Sequence, residues 1–221
     1  MLDEERRELD MYKRALACVA ADFADLPRES AGARAGEMLR ADVALIDEQS
    51  GLQSGYDGAA REGTARRRVA RAALRECLKR FAETARTIAR QRPGFAERYP
   101  SSSGSNDERL LADARSVAAA LDADRAEFTA LGVADEYIDA TNAKVEAFGA
   151  AVAQTGASRG GRGAAVSART NAFETAENHF ATLDTYIKNR YFNDPARLAA
   201  WRIASHVERA PRRKRTTARK K

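Results

Sequence analysis

The stretch SGLQSGYDGAAREGTARRR, residues 50–68, lies between two segments with strong helical patterns and decides whether the chain bends there. Three of its glycines and one alanine fall in a single row at four-residue spacing, namely Gly51, Gly55, Ala59 and Gly63, and Gly58 lies off that row. A glycine inside a helix costs about 1 kcal/mol relative to alanine, so four cost about 4 kcal/mol, which is large beside the stability of a domain. We therefore expect a break or sharp kink near Gly55–Gly58. The regular spacing also allows a continuous helix, provided that the row is tightly packed.

Periodic apolar residues predict helices along nearly the whole chain. They recur at alternating spacings of three and four residues, which places them on one face of a helix. Aromatic residues, which favour strands, make up only 7% of the chain. We predict an all-α fold, an antiparallel helical bundle of about six helices plus a short C-terminal helix. The apolar stripes of the second and third helices are Met38, Leu45 and Leu52 one heptad apart, with Leu39, Val43 and Ile46 beside them, and then Ala70, Leu74, Cys77, Phe81, Ala85 and Ile88.

Local signals mark where several helices begin and end. Ser105 and Glu108 have the spacing of a capping box, which predicts the start of the fourth helix. The segment GASRGGRGAA, residues 156–165, is predicted to end the fifth helix at its first glycine and to form a second flexible joint. Asp194 is suited to cap the last helix and Pro195 to occupy its first turn.

The C-terminal segment carries the strongest charge signal in the sequence. Beyond Glu208 there are eight positive residues and no acidic one: Arg209, Arg212, Arg213, Lys214, Arg215, Arg219, Lys220 and Lys221. Because the whole chain sums to +6, the remaining residues sum to −2. A block of like charge cannot be buried. We therefore predict one helical bundle domain over residues 1–208, with glycine-rich joints near 51–63 and 156–163, and a disordered basic tail over 209–221.

The basic tail predicts contact with phosphate backbones that does not depend on nucleic-acid sequence. It contains no aromatic residue that could stack on bases. A tail with no selected partner, or one that meets an acidic protein or an anionic membrane surface, remains an alternative. The arginines of the third helix, Arg66 to Arg68 and Arg71, could supply a second patch, although the nearby Glu62 and Glu76 favour an ordinary solvated face.

No pattern in the sequence indicates a catalytic or metal site. The only histidines, His179 and His206, have no local signature that pairs them with a cysteine nucleophile. Glu177 is two residues from His179, which is the wrong spacing for a di-metal carboxylate bundle. Neither glycine-rich segment has the terminal Gly-Lys-Ser/Thr of a phosphate loop. We expect no enzyme activity, no metal and no cofactor.

The N-terminal residues and the two cysteines bear on the compartment. The sequence begins MLDEERRELD, without a basic region followed by an apolar run, so no signal peptide is predicted. No apolar run is long enough to span a bilayer. Cys18 and Cys77 both lie at apolar positions of helical patterns, where we expect buried, reduced thiols. These features favour a cytoplasmic protein.

Two segments carry a resemblance to known sequences. NDPARLAAWRIASHVERAPRR, residues 193–213, and AREGTARRRVARAALREC, residues 60–77, resemble segments of uncharacterised all-helical proteins of environmental bacteria. The resemblance implies a bacterial, helical, cytoplasmic protein and carries no activity or site. The leading hypothesis is a non-enzymatic helical-bundle protein that binds nucleic acid nonspecifically through its basic C-terminal arm. The alternative is a structural or protein-interaction scaffold, self-associating or bound to another protein through its helical body, whose tail is incidental.

Overall fold

A computed structural model describes residues 1–101 and 106–208, and within them it is helical with no strand. About 84% of the described residues are helical, which confirms the all-α prediction. The α-helices are α1 Asp3–Asp22, α2 Ala31–Ile88, α3 Asp107–Ala123, α4 Arg125–Ala130, α5 Asp135–Arg190 and α6 Pro195–Ala204, and a 3-10 turn spans Phe95–Arg98. None of these helices is long and apolar enough to cross a membrane. The tail, 209–221, lies outside the described residues.

The predicted break near Gly55–Gly58 is wrong, because α2 is one continuous helix of 58 residues. In the described residues, only Gly94 and Gly132 have positive φ, so no glycine of α2 has the left-handed geometry of a broken joint. The tight packing expected of a continuous helix is also absent at two positions of the row and at Gly58 beside it, since a Cβ at Gly51, Gly55 or Gly58 would meet no atom within 4 Å. The helix thus tolerates the cost of these glycines without local compensation.

The predicted joint at 156–163 is also wrong, because α5 runs through it without interruption for 56 residues. The ring of Tyr56 lies over Gly161, where a Cβ would come within 2.5 Å of the ring carbons. The side chain of Arg162 forms an ion pair with Asp57 at 2.9 Å. The glycines of α5 therefore include a packing position against α2, and the segment is not a linker.

Two compact units make up the chain, with boundaries that fall inside both long helices. The first comprises Met1–Gln53 with the chain from Ala164 onwards, and the second comprises Ser54–Gly163. The predicted end of the folded domain at residue 208 coincides with the end of the described residues. The extent of that domain and of the tail therefore stays a prediction.

The first unit packs α1, α6 and its portions of α2 and α5 around Trp201. This side chain is fully buried, and its Nε1 donates a hydrogen bond to Asp184 Oδ1 at 2.8 Å. The Phe23 and Phe180 rings lie about 6 Å from the indole. The predicted start of α6 is confirmed, because the Asp194 carboxylate accepts from the Arg197 N–H at 3.0 Å and Pro195 occupies the first turn.

The second unit packs α3, α4 and its portions of α2 and α5 around a cluster of aromatic rings. Every residue of the predicted third-helix stripe from Leu74 to Ile88 is buried. The buried carboxylate of Asp124 accepts from Tyr99 Oη at 2.6 Å and pairs with Arg98 at 2.8 Å. Ser105 of the predicted capping box lies outside the described residues. Asn106 caps α3 instead, accepting from the backbone N–H groups of the second and third helical residues.

Candidate protein-interaction surface

Two apolar rows run along α2 in the first unit, and only one of them is buried. The inner row, Leu39, Val43 and Ile46, is at most 7% exposed and packs against residues of α1 and α5. The outer row, Met38, Leu45 and Leu52, is exposed by 51%, 39% and 43% respectively. The row with the heptad spacing in the sequence is therefore the row that is exposed to solvent. The reason is steric, because α1 and α5 can cover only one side of α2.

The outer row lies within a longer seam of exposed positions. Ala41 lies between Met38 and Leu45 at the three-and-four spacing of a helix–helix contact, and it is exposed. Arg34 lies on the seam one turn before Met38, and Glu48 lies on it between Leu45 and Leu52. Both charged side chains are exposed. Among the described residues, neither charge has an ion-pair partner. The seam is thus apolar in its middle, with one charge of each sign at fixed positions.

Polar contacts on both flanks of the inner row fix α2 within the unit. On one side, Lys13 of α1 pairs with Asp47 at 2.8 Å. On the other, the Asp42 carboxylate contacts His179 Nδ1 at 2.6 Å and accepts from Thr175 Oγ1 at 3.0 Å. Since Asp42 bonds two residues of α5 one turn apart, it sets the register of α2 against α5. The outer row is therefore presented by a helix that is already fixed.

A buried arginine completes this support near the C-terminal end of the seam. Arg169 of α5 is only 6% exposed, although arginine is almost never buried without partners. Its guanidinium donates a short hydrogen bond to Gln53 of α2 and pairs with Glu5 of α1 at 3.4 Å. One side chain thus ties three helices together where α1 begins. Sequence reasoning missed this residue, because nothing local distinguishes it from the many exposed arginines.

The nucleic-acid residues predicted from the sequence, Arg209 to Lys221, all lie outside the described residues. The second basic patch suggested by the sequence, Arg66 to Arg68 and Arg71, lies within the described residues. Acidic side chains pair with three of its arginines. Arg66 pairs with Glu62 at 2.5 Å, and Arg67 and Arg71 both contact Asp107 of α3 at 3.2 and 3.1 Å. Arg67 and Arg71 therefore join α2 to α3 within the second unit, whereas Arg66 is exposed and pairs within its own helix with Glu62, the acid that the solvated-face interpretation named.

The two thiols differ in environment, and each has a charged neighbour: Lys144 Nζ lies 4.0 Å from Cys77 Sγ, and Asp22 Oδ2 lies 3.6 Å from Cys18 Sγ. Cys77 is fully buried, as predicted, and its Sγ lies 3.3 Å from Thr141 Oγ1. Cys18 is only half-buried, so its predicted burial is wrong in degree; burial and a hydrogen bond to Asp22 raise the pKa of its thiol to about 11. Within the described ranges, no three His, Cys, Asp or Glu side chains are grouped so that they could hold a metal ion.

The second unit has an apolar groove of its own. It encloses about 650 Å³ between α2 and α5, and its wall consists mainly of alanines together with Val69, which is 70% exposed. The groove has no buried polar group that would orient a small molecule. Without such a group it lacks the convergent polar contacts that fix the orientation of ligands in small-molecule sites.

Comparisons with known proteins do not assign the chain to a family. No protein-family model, no curated protein and no solved structure matches the chain.

Proposed function

We propose that the protein is a non-enzymatic helical scaffold of the bacterial cytoplasm that binds a protein partner through the outer row of α2. The observation that carries this proposal is the exposure of Met38, Leu45 and Leu52, each at least 39% open on a fixed helix. Single exposed apolar residues are ordinary on protein surfaces, whereas exposed apolar residues that form one patch mark an interaction site more often. The heptad spacing specifies the partner element, because it is the spacing of a helix–helix seam.

The energetic argument favours a partner over solvent exposure. Full burial of a leucine or methionine side chain contributes about 1.5–3 kcal/mol. The outer row is roughly half covered already, so the three side chains together still offer a few kcal/mol of burial. The helix does not have to reorganise to bind, since Asp42 and Asp47 already hold it. A fixed surface loses less conformational entropy on binding than a mobile one.

Photo-crosslinking inside the producing cells tests this proposal. A photoreactive amino acid replaces Leu45 in the full-length chain, and the matched control places it at Arg40, which is exposed on α2 but lies off the seam. We expect specific crosslinked protein bands from position 45 that position 40 does not give. The same faint background at both positions would remove the proposal.

The basic tail supports a second candidate function, nonspecific nucleic-acid binding. Eight positive charges without an acid follow a body whose net charge is −2. Residues 209–221 would reach roughly 40 Å when fully extended, enough to follow a groove while the body stays outside. If six to eight phosphates are neutralised, the log–log dependence of affinity on salt has a slope of about −5 to −7.

A binding titration separates this second candidate from the first. Intact protein and protein truncated after Glu208 are titrated with duplex DNA at two salt concentrations. The arm predicts that truncation abolishes most binding and leaves the helical signal unchanged. Equal binding by both proteins would assign nucleic-acid contact to the body, and no binding by either near physiological salt would leave the scaffold function alone.

A further inference from the structure

We propose that the partner of the outer row is a second copy of this chain, docked antiparallel along α2 so that Arg34 of each copy pairs with Glu48 of the other. This inference rests on the proposed interaction function and specifies its partner. It depends on the order of residues along one exposed seam: Arg34, Met38, Ala41, Leu45, Glu48 and Leu52.

The seam has large and small residues in an order that complements itself. When two copies lie antiparallel with Ala41 of one beside Leu45 of the other, the two-fold axis passes between these positions. The contact then occurs twice, large against small each time, as in the isologous interface of a symmetric dimer. Further out, the aliphatic stem of Arg34 lies along Leu52 of the other copy and covers it. Each exposed leucine therefore gains a neighbour, while Met38 lies opposite Glu48 of the other copy.

The two charges of the seam select the antiparallel direction. In a parallel pair in register, Arg34 would face Arg34 and Glu48 would face Glu48, and like charges across a helical seam are destabilising. In the antiparallel pair just described, Arg34 lies within about one helical turn of Glu48 of the other copy, which its side chain can span. Both charges are exposed and, within the described residues, have no ion-pair partner of their own. The monomer therefore loses no internal pair when the dimer forms.

The size of the seam limits the strength of the dimer. From Arg34 to Leu52 the helix rises about 27 Å at 1.5 Å per residue. A single helix pair of this length buries less than the roughly 1,600 Å² of a standard stable interface. We therefore expect reversible dimers with a dissociation constant of tens of micromolar. An interface this small also makes the two ion pairs a measurable share of the affinity.

Charge reversal in the full-length protein tests both the partner and the direction. Sedimentation equilibrium at low ionic strength compares the wild type with Arg34→Glu, Glu48→Arg and the double variant. Each single change brings two like-charge pairs together, so each should weaken the dimer about tenfold, and the double variant should restore it. Arg40→Glu is the matched control for Arg34→Glu, because it lowers the net charge by the same amount on the same helix but off the seam; it should leave the dimer unchanged. Circular dichroism verifies that each variant keeps its fold.

Every outcome of this experiment decides the inference. A wild type that stays monomeric at several hundred micromolar overturns the second copy as partner. A double variant as weak as the single variants overturns the antiparallel pairing. The proposed function is judged separately by crosslinking at position 45: crosslinks to a different protein, combined with a monomeric wild type, would remove this inference and leave the interaction function standing.

Discussion

Leu45 and Ile46 are neighbours in the sequence and opposites in the structure. Ile46 is completely buried between α1 and α5, whereas Leu45 is 39% exposed. The same contrast divides the glycines of α2, because a Cβ at Gly32 would collide with the ring of Tyr186 and one at Gly55 would meet nothing. Covered and open positions of one helix therefore carry the same residue types. The difference in exposure shows that α2 carries more apolar residues than the core of the first unit buries.

The largest expected effect comes from truncation of the covered row. Ile46→Ala removes buried methyl groups and should cost about 2–5 kcal/mol of unfolding free energy. Its matched control, Leu45→Ala, removes a similar side chain from the open row and should cost less than about 1 kcal/mol at concentrations where the protein is monomeric. Urea denaturation monitored by circular dichroism measures both. Equal losses for the two variants would show that the rows are not covered and open as described.

A smaller loss is expected at the covered glycine of α2. In Gly32→Ala the new methyl carbon would lie 2.4 Å from Tyr186 Cδ1 and 2.7 Å from Cγ, close to the root of the ring. The ring cannot move aside without a change of rotamer or a shift of α5. We expect a destabilisation of about 1–3 kcal/mol, as in other overpacked sites. The companion variant Gly32→Ala/Tyr186→Ala relieves the clash, and a double-mutant cycle should therefore show strong coupling.

The open glycines should respond in the opposite direction. Replacing both Gly55 and Gly58 by alanine adds methyl groups where no atom lies within 4 Å. Because each change removes the cost of a helical glycine, the double variant should gain about 1–2 kcal/mol. Its melting temperature should rise by a few degrees. A lowered melting temperature would mean that α2 does break at this point, as the sequence alone suggested.

The cysteines give the smallest and most local comparison. Cys77 is a covered position of α2, and Cys18 is half-open on α1. Because the pKa of Cys18 is raised to about 11, little thiolate is present at pH 8 and labelling should be at least tenfold slower than in denaturant. Cys77 should react more slowly still, since it must first become exposed. A time course with a chromogenic disulfide reagent resolves the two reaction rates. Faster reaction of Cys77 than of Cys18 would contradict the burial of Cys77 in the core of the second unit.

The sequence predicted those parts of the fold that depend on local patterns. The stripe from Leu74 to Ile88 was correct because one apolar row there is flanked by charged residues, which leaves a single face for the core. The Asp194 cap follows from local backbone chemistry, because its carboxylate accepts from the Arg197 N–H three residues on. In each case the residues that decide the structure lie within one or two turns of each other.

The continuity of the long helices could not be predicted in this way. The contact of Tyr56 with Gly161 joins residues far apart in the chain, so the segment 156–163 looks like a linker until its packing partner is known. Helix propensity gives the free-energy cost of each glycine. It does not include the stabilisation that comes from the helical turns on either side, which are held in place by packing. For this reason both predicted joints were wrong, although the glycines were identified correctly.

The candidate surface was only half visible in the sequence. Met38, Leu45 and Leu52 stand out by their heptad spacing, but the pattern cannot tell whether the unit covers this row or the row beside it. The choice depends on Asp42 and Asp47, whose bonds to α5 and α1 place those helices on the flanks of the inner row. The eight basic residues of the tail were equally visible, and their role stays a prediction.

The most direct test of the central claim, that the outer row serves binding and not folding, is a paired measurement on Leu45→Glu. Sedimentation equilibrium measures its association, and thermal denaturation of the same sample in the monomeric range measures its stability. We predict that this variant loses the concentration-dependent association of the wild type while its melting temperature stays within a few degrees, because Leu45 is 39% exposed. Undiminished association of the variant under conditions where the wild type associates, or a loss of stability as large as that of Ile46→Ala, would contradict the claim.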